Sequence, residues 1–222
     1  AASGSTLTNI TKQSIVTQLK RYNVASVRPV IVDPEITKLL LTTNVKYDNK
    51  TTTKTSDTLK SAVLTTLTNY NNNTLTKFEG VFRFSKVTGL IDSTDSSILS
   101  NITNLKIRKD FQPALAASTK YNVFFRNALY NPHSGHNMAA GGILESSGFK
   151  VSGDATTIFY LDDDGASNVR RYSFSGSTRV YANNTQGTIN YNTGAIILNS
   201  LSVLSVENIR GAAATKIELT VV

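Results

Sequence analysis

The stretch from residue 55 to residue 109 constrains the fold most, because two amphipathic helical runs there are followed by a run typical of a strand. The first helix begins near Thr55, Ser56 and Asp57, which are residue types that cap helices. Behind them, apolar residues recur at spacings of three and four, which predicts one apolar stripe on a helix of about four turns. The stripe consists of Leu59, Ala62, Val63, Leu67 and Tyr70.

A second helix and a strand complete this stretch. Asn71-Asn72-Asn73 interrupts the first helix, and the apolar spacing over residues 82–91 predicts a shorter second helix. Residues 95–109 are typical of a strand, with Leu105 and Ile107 near its centre. Two amphipathic helices need a sheet against which to bury their apolar faces.

The segment from Glu35 to Asp48 supplies a strand for that sheet, because its residues alternate between a more apolar and a more polar face. The more apolar face carries Thr37, Leu39, Leu41, Thr43, Val45 and Tyr47. Such a contrast is typical of an antiparallel sheet covered by helices on one face. We therefore expect residues 27–110 to form an α+β unit in which segments 37–47 and 99–108 share one antiparallel sheet.

The flanking segments differ from this unit in pattern. The apolar spacing in residues 8–23 predicts a first helix capped by Asn9 or Thr11. This helix lies within an N-terminal region of residues 1–26. Ala1 to Thr6 are typical of a cut end, and the chain is expected to be a fragment. Residues 28–34 contain two prolines and predict an edge strand.

From residue 111 onward, short β segments alternate with turn signals, which predicts a β-rich domain over residues 111–222. The expected strands are 121–126, a hairpin of 157–161 with 169–174, a hairpin of 187–191 with 195–198, and 216–222. The whole chain is thus predicted as α+β: an antiparallel sheet with helices on one face, followed by a mostly β C-terminal domain.

Charge and composition exclude several classes of function. The chain has 23 basic and 15 acidic residues, a net charge of +8, yet its basic residues are scattered singly or in small groups without a nucleic-acid-binding motif. We interpret them as a solvated surface that meets acidic neighbours in a complex, with no nucleic-acid partner. There is no cysteine and no apolar run of about 18 residues, which excludes a disulfide framework and predicts no membrane partner.

Three groups of residues could carry chemistry. Asp162-Asp163-Asp164 resembles a calcium loop in charge, but the ligand spacing of an EF-hand is missing and a turn between strands is the preferred interpretation. Both histidines, His133 and His136, could hold zinc or iron, but Glu145 is the only nearby carboxylate, and loop histidines at a surface or interface are preferred.

The third group is Gly141-Gly142 with Gly148, which lacks the strand-to-helix context of a phosphate-binding loop. No nucleophile with a matching base is evident. The sequence therefore predicts no enzyme, no catalytic or cofactor-binding residues, no metal site and no cofactor.

Residues 128–148 form a long connection with little periodicity, four glycines and both histidines. We expect this segment to extend from the β-rich domain and to be ordered by a neighbouring subunit; an ordinary mobile loop is the alternative.

The order of these elements resembles the baseplate J-like family of contractile-tailed phages. The resemblance is carried by Arg28-Pro29-Val30, the long alternating strand, the helix ending near Tyr70, Gly89-Leu90-Ile91 and Asp95-Ser96-Ser97-Ile98. The runs NALYNPHSGHNMAAGGILESSGF (127–149) and FYLDDDG (159–165) extend it to the T-even-type baseplate wedge subunits of the gene-product-six type. Those subunits are much longer, so the chain would correspond to their C-terminal part.

The resemblance implies a structural virion protein of the tail baseplate, assembled in the host cytoplasm. It implies a homodimer within each wedge that joins neighbouring copies into a ring and contacts other wedge proteins. Two alternatives stay open on the residues alone. One is a host-surface or glycan-binding tail module, although tryptophan is absent. The other is a tail-associated glycosidase, which needs two carboxylates in a groove.

Overall fold

The computed structural model describes residues 7–22, 27–31, 35–77 and 80–222. Its described parts divide into two compact units: unit 1 lies within Ala1–Glu35 and Thr42–Asn104, and unit 2 within Ile36–Leu41 and Leu105–Val222. The elements in chain order are α1 (Asn9–Lys20), β1 (Lys38–Tyr47), α2 (Ser56–Tyr70), α3 (Phe84–Asp92), β2 (Ile98–Phe111), β3 (Thr119–Phe124), β4 (Leu144–Ser146), β5 (Phe149–Val151), β6 (Asp154–Asp163), β7 (Asn168–Ser175), β8 (Thr178–Asn190), β9 (Ala195–Leu201), β10 (Val203–Val206) and β11 (Ile217–Val221). The α+β class is confirmed, with antiparallel strand pairs and a mostly β C-terminal half.

Helix α2 forms where the apolar stripe predicted it. Thr55 is its N-cap and its hydroxyl accepts a hydrogen bond from the backbone N–H of Thr58, which satisfies one of the free donors of the first turn. Three stripe residues, Leu59, Val63 and Tyr70, are buried. The Asn71-Asn72-Asn73 break is one turn of π-helix over Asn71–Leu75 rather than an abrupt end.

Helix α3 buries Val87 and Ile91 completely. The side-chain amide of Asn101 in β2 donates to the carbonyl of Thr88 at 3.0 Å and to Oδ1 of Asp92 at 2.7 Å. These two bonds hold the last turn of α3 against β2. Ile98 of β2 and Ser97 beside it are buried in the same unit.

Strands β1 and β2 are neighbours in a four-stranded sheet of order β1-β2-β11-β4, which confirms that segments 37–47 and 99–108 share one sheet. The hydroxyls of Thr43 and Thr103 are 3.0 Å apart, and the N–H of Asp48 donates to the carbonyl of Ser97. The predicted alternation is also present, since Leu39, Leu41, Thr43, Val45 and Tyr47 are half-buried between exposed Thr42, Asn44 and Lys46.

The seven-stranded sheet of unit 2 has the order β10-β5-β6-β7-β8-β9-β3. Both predicted hairpins are confirmed: β6 pairs with β7, and β8 pairs with β9, each antiparallel. The first half of β8, which pairs with β7, was not predicted. The alternate residues Ile217, Leu219 and Val221 of β11 are fully buried, as expected of a strand with one face in a core.

Several local predictions need correction. Helix α1 is present, but its N-cap is Thr8 rather than Asn9 or Thr11. Residues 27–31 form no strand, so the predicted edge strand at 28–34 is wrong over its described part, and residues 32–34 lie outside the described residues. The predicted tail of residues 1–6 also lies outside them. Within the described ranges, no helix is long and apolar enough to cross a membrane.

Candidate functional site

The most elaborate polar site in unit 2 surrounds the carboxylate of Asp163 at the end of β6. Asp163 is completely buried. Its Oδ1 accepts hydrogen bonds from the backbone N–H groups of Ile143 and Leu144, both at 2.7 Å. Its Oδ2 accepts from the N–H of Gly165 at 3.0 Å and from the phenol of Tyr191 at 2.7 Å. Four donors thus surround one carboxylate, as expected for a buried acidic group.

The two adjacent glycines make this site possible. Gly142 has φ +65°, and a Cβ there would overlap the carboxylate of Asp163. Gly141 has φ +93°, and a Cβ there would overlap the guanidinium of Arg179. The Gly141-Gly142 run therefore does resemble an anion-binding loop in its chemistry, but the anion is the carboxylate of the chain's own Asp163.

Asp162 is buried on the opposite side of β6 and joins two arginines. Its Oδ1 accepts from Nε of Arg170 at 2.9 Å, and its Oδ2 accepts from Nη1 of Arg179 at 2.9 Å and from the phenol of Tyr181 at 3.0 Å. Burial raises the pKa of Asp162, and the bond and charge of Arg170 oppose that rise. Arg170 also donates to the carbonyl of Met138, which ties the preceding loop to this network.

The prediction that Asp162 to Asp164 form a turn is wrong for the first two residues. Asp162 and Asp163 lie in β6, and only Asp164 belongs to the turn, where it accepts from the N–H groups of Ala166 and Asn168. Cross-strand charge was the missed signal, because the β6–β7 register places Asp162 opposite Arg170. A register could not be assigned before the length of the turn was known.

Aromatic side chains continue this face of the sheet. The rings of Tyr160 and Tyr172 stack at 5.7 Å between centroids, and Phe174 meets both edge-on. Arg170 lies over the ring of Tyr181 and Arg179 over that of Tyr172, at 4.2 Å and 4.8 Å. Tyr172 is buried, whereas Phe174 is half exposed. The outer rim of the cluster is therefore open to solvent.

The two histidines lie in a turn close to each other. Nδ1 of His136 is 3.4 Å from Nε2 of His133, and Nδ1 of His133 is 3.2 Å from the carbonyl oxygen of Ser134. Glu145, the carboxylate considered with them, is instead bound by Lys106 at 3.0 Å. No group of three or more metal-ligating side chains is found among the residues that the structure describes.

The expectation that segment 128–148 extends away from the β domain is wrong. Leu129, Ile143 and Leu144 belong to the buried core cluster. The N–H of Leu129 donates to the carbonyl of Tyr191 at 2.7 Å, and the N–H of Gly135 donates to that of Gly165 at 2.9 Å. The segment packs within its own unit, where Gly142 lies against the carboxylate of Asp163 and Gly165 of the turn lies against the backbone of His136.

Unit 1 exposes several large apolar side chains. Helix α1 has no buried residue among those described, and its Ile10 is 80 % exposed. Other exposed apolar side chains in this unit are Leu7, Leu19, Tyr22, Val27, Val30, Leu64, Val81, Phe84, Leu99 and Ile102. These side chains are accessible for contact with another protein.

Comparison with known proteins agrees with this description. No curated protein sequence matches the chain. A family model described as baseplate structural protein gp6, C-terminal domain III, matches residues 39–110. The matched range begins in β1, includes α2 and α3, and ends in β2. Residues 39–110 are therefore similar to domain III of a phage baseplate structural protein, which supports a structural role in a baseplate.

Proposed function

We propose that the chain is a structural component of a baseplate wedge in a contractile-tailed phage. The observation that carries this proposal is the match of residues 39–110 to C-terminal domain III of the baseplate structural protein gp6. The matched range coincides with one continuous β-α-α-β arrangement, so the likeness covers a complete structural module. Its place in the virion is the tail baseplate.

The chain self-associates as a homodimer, and neighbouring copies join into a ring with other wedge proteins. Two properties of the surface support association. Large apolar side chains are exposed in unit 1, and β1 and β4 are the outer strands of their sheet, with backbone groups suited to pairing with another chain. The net charge of +8 favours acidic partner surfaces. No nucleic acid or membrane takes part.

Catalysis, cofactors and bound metals have no part in this proposed role. The two buried aspartates are fully engaged by hydrogen bonds or arginines within their own unit. Such carboxylates are positioned to hold strands and loops together rather than to transfer protons to a substrate. In this proposal the chain has three regions: an N-terminal region of residues 1–26, an α+β domain of residues 27–110 and a β-rich domain of residues 111–222.

The mass of the full chain in solution tests self-association. Light scattering coupled to size exclusion, from low to high micromolar concentration, is expected to give twice the mass of one chain. The variant Ile10→Lys, in exposed α1, is expected to lower that mass, and Ser177→Lys, in the exposed turn between β7 and β8, is the control of equal charge that should not. A strict monomer at all concentrations would contradict the homodimer. The baseplate role would then require that the chain binds other wedge proteins directly.

A host-surface or glycan-binding tail module is the second candidate function. It is favoured by the aromatic cluster of Tyr160, Tyr172 and Phe174, whose half-exposed rim resembles a stacking platform for sugar rings. Binding of bacterial surface polysaccharide that Phe174→Ala abolishes would support this candidate. Absence of binding to any such polysaccharide would contradict this candidate and favour the wedge role.

A further inference from the structure

We propose that His133 and His136 form a binding site for a divalent transition metal of the zinc, nickel and copper class. The ligand atoms are Nε2 of His133 and Nδ1 of His136. Imidazole nitrogen is a preferred ligand of all three metals. The site lies in the turn that precedes β4, and the proposal is independent of the baseplate role.

The distance between the two nitrogens fits a shared metal ion. Two imidazole ligands at zinc–nitrogen distances of about 2.0–2.1 Å in tetrahedral geometry stand about 3.3–3.4 Å from each other. Nε2 of His133 and Nδ1 of His136 are 3.4 Å apart. The same geometry places the ring centroids about 5.2 Å apart, and the two centroids are 5.1 Å apart.

The backbone determines which nitrogen of His133 is free to bind. Nδ1 of His133 is 3.2 Å from the carbonyl oxygen of Ser134. A carbonyl can only accept a hydrogen bond, so Nδ1 carries the proton and Nε2 of the neutral ring keeps its lone pair. Metal-binding histidines commonly donate their other N–H to a backbone carbonyl, which fixes both the tautomer and the ring orientation.

The turn that carries the two rings is held in place from several sides. The N–H of His136 donates to the carbonyl of His133 at 3.1 Å, and the N–H of Gly135 donates to that of Gly165 at 2.9 Å. A Cβ at Gly165 would overlap the backbone of His136, so the two turns are in close contact. The ring of Tyr130 meets the His136 ring edge-on at 5.4 Å. The ligands are thus positioned before a metal binds.

Two protein ligands leave the other coordination positions of the metal to water, because no third metal-ligating side chain joins the pair among the described residues. His133 is exposed and His136 is half exposed, so an ion can reach the pair from solvent. A hydrogen bond between the two neutral rings would also produce a separation of 3.4 Å. Only metal titration distinguishes these two arrangements.

The test uses the full chain without a histidine tag. Zn²⁺ is titrated by calorimetry, and the ring nitrogens are observed by ¹⁵N NMR, where the two histidines of the sequence are the only imidazoles. One Zn²⁺ per chain is expected, with the largest shifts at Nε2 of His133 and Nδ1 of His136. His133→Ala and His136→Ala should each weaken binding by more than about tenfold. Ser134→Ala, which keeps the carbonyl that orients His133, is the matched control and should bind as the unaltered chain does.

The result decides between a metal site and a pair of hydrogen-bonded rings. Binding that neither histidine variant weakens, or no binding of Zn²⁺ at millimolar concentration, would overturn the proposal. Shifts at the opposite nitrogens would overturn the assignment of ligand atoms. Circular dichroism of each variant confirms that the β domain is folded, so a loss of binding reports on the ligand itself.

Discussion

The phenol of Tyr191 donates a 2.7 Å hydrogen bond to Oδ2 of Asp163; Asp163 is completely buried and Tyr191 is half-buried. Asp163 ends β6, and Tyr191 directly follows β8. Burial raises the pKa of Tyr191 above its ordinary value, and the bond to Asp163 raises it further because ionisation would place two negative charges side by side. The pair therefore links two strands of unit 2 through a proton that the folded state retains.

This relationship predicts a loss of stability in alkali. Above the ordinary tyrosine pKa of 10.0, the unfolded chain releases the Tyr191 proton first, so the free energy of unfolding falls as the pH rises. Tyr191→Phe loses the hydrogen bond and should be less stable by about 1–2 kcal/mol at neutral pH. Urea unfolding should show that this difference is constant from pH 7 to pH 9 and shrinks above pH 10. A difference that does not change with pH would contradict the prediction.

Replacing the buried carboxylate should be costly. Asp163→Asn keeps the shape but has only one acceptor oxygen, so at least one of the N–H groups of Ile143, Leu144 and Gly165 is left unpaired. We expect a loss of about 2–3 kcal/mol in urea unfolding. Asp154→Asn is the matched control, because Asp154 accepts from Thr156 and Thr157 through Oδ1 alone. Its loss should be clearly smaller, because surface substitutions away from buried polar groups usually change stability little. Equal losses in the two variants would show that the four donors around Asp163 make no special contribution to the free energy of unfolding.

A methyl group at Gly142 should disrupt the same site from the other side. Gly142→Ala introduces a Cβ into the space of the Asp163 carboxylate at a backbone φ of +65°. Gly153 also has positive φ, +94°, but nothing lies near its Cβ position, so Gly153→Ala reports the backbone cost alone. That cost is about 1–2 kcal/mol. Thermal and urea unfolding should show a clearly larger loss for Gly142→Ala, and similar losses would mean that the loop moves aside freely.

Asn101 should stabilise the contact between β2 and the end of α3. Asn101→Ala removes the hydrogen bonds to the Thr88 carbonyl and to Asp92. A loss of about 1 kcal/mol is expected, because the partly buried carbonyl of Thr88 and the exposed carboxylate of Asp92 both lose their donor. Asn104→Ala, on an exposed position of the same strand, should stay within about 0.5 kcal/mol of the unaltered chain. Hydrogen exchange should accelerate at residues 87–92 only in the Asn101 variant; unchanged protection there would refute the role of Asn101.

Local pattern was sufficient where one element determines its own form. The stripe of α2, the alternation of β1 and the strand β11 were predicted because each shows a period of 3.6 or 2 that depends only on which face is buried. Thr55 was among the predicted caps for the same reason, since a cap requires only the next turn of its own helix.

Segments without a period were predicted less well. Residues 28–31 have the composition of an edge strand, but strand formation needs a partner, and the structure provides none for them among the described residues. The long connection 128–148 has no apolar face of its own, and its place was settled by the pairing of Gly135 with Gly165 and by the burial of Leu129.

The sequence by itself determined the α+β class, the helices and most strands, because hydrophobic period and turn chemistry act over a few residues. Only the tertiary structure decided the role of the acidic run. Whether Asp162 and Asp163 face solvent or a core depends on strand register. The groups that donate hydrogen bonds to their carboxylates belong to Ile143, Arg179 and Tyr191, which are far apart in the chain. A buried charge is stable only where such distant donors converge, and that convergence is a property of the folded sheet rather than of any local pattern.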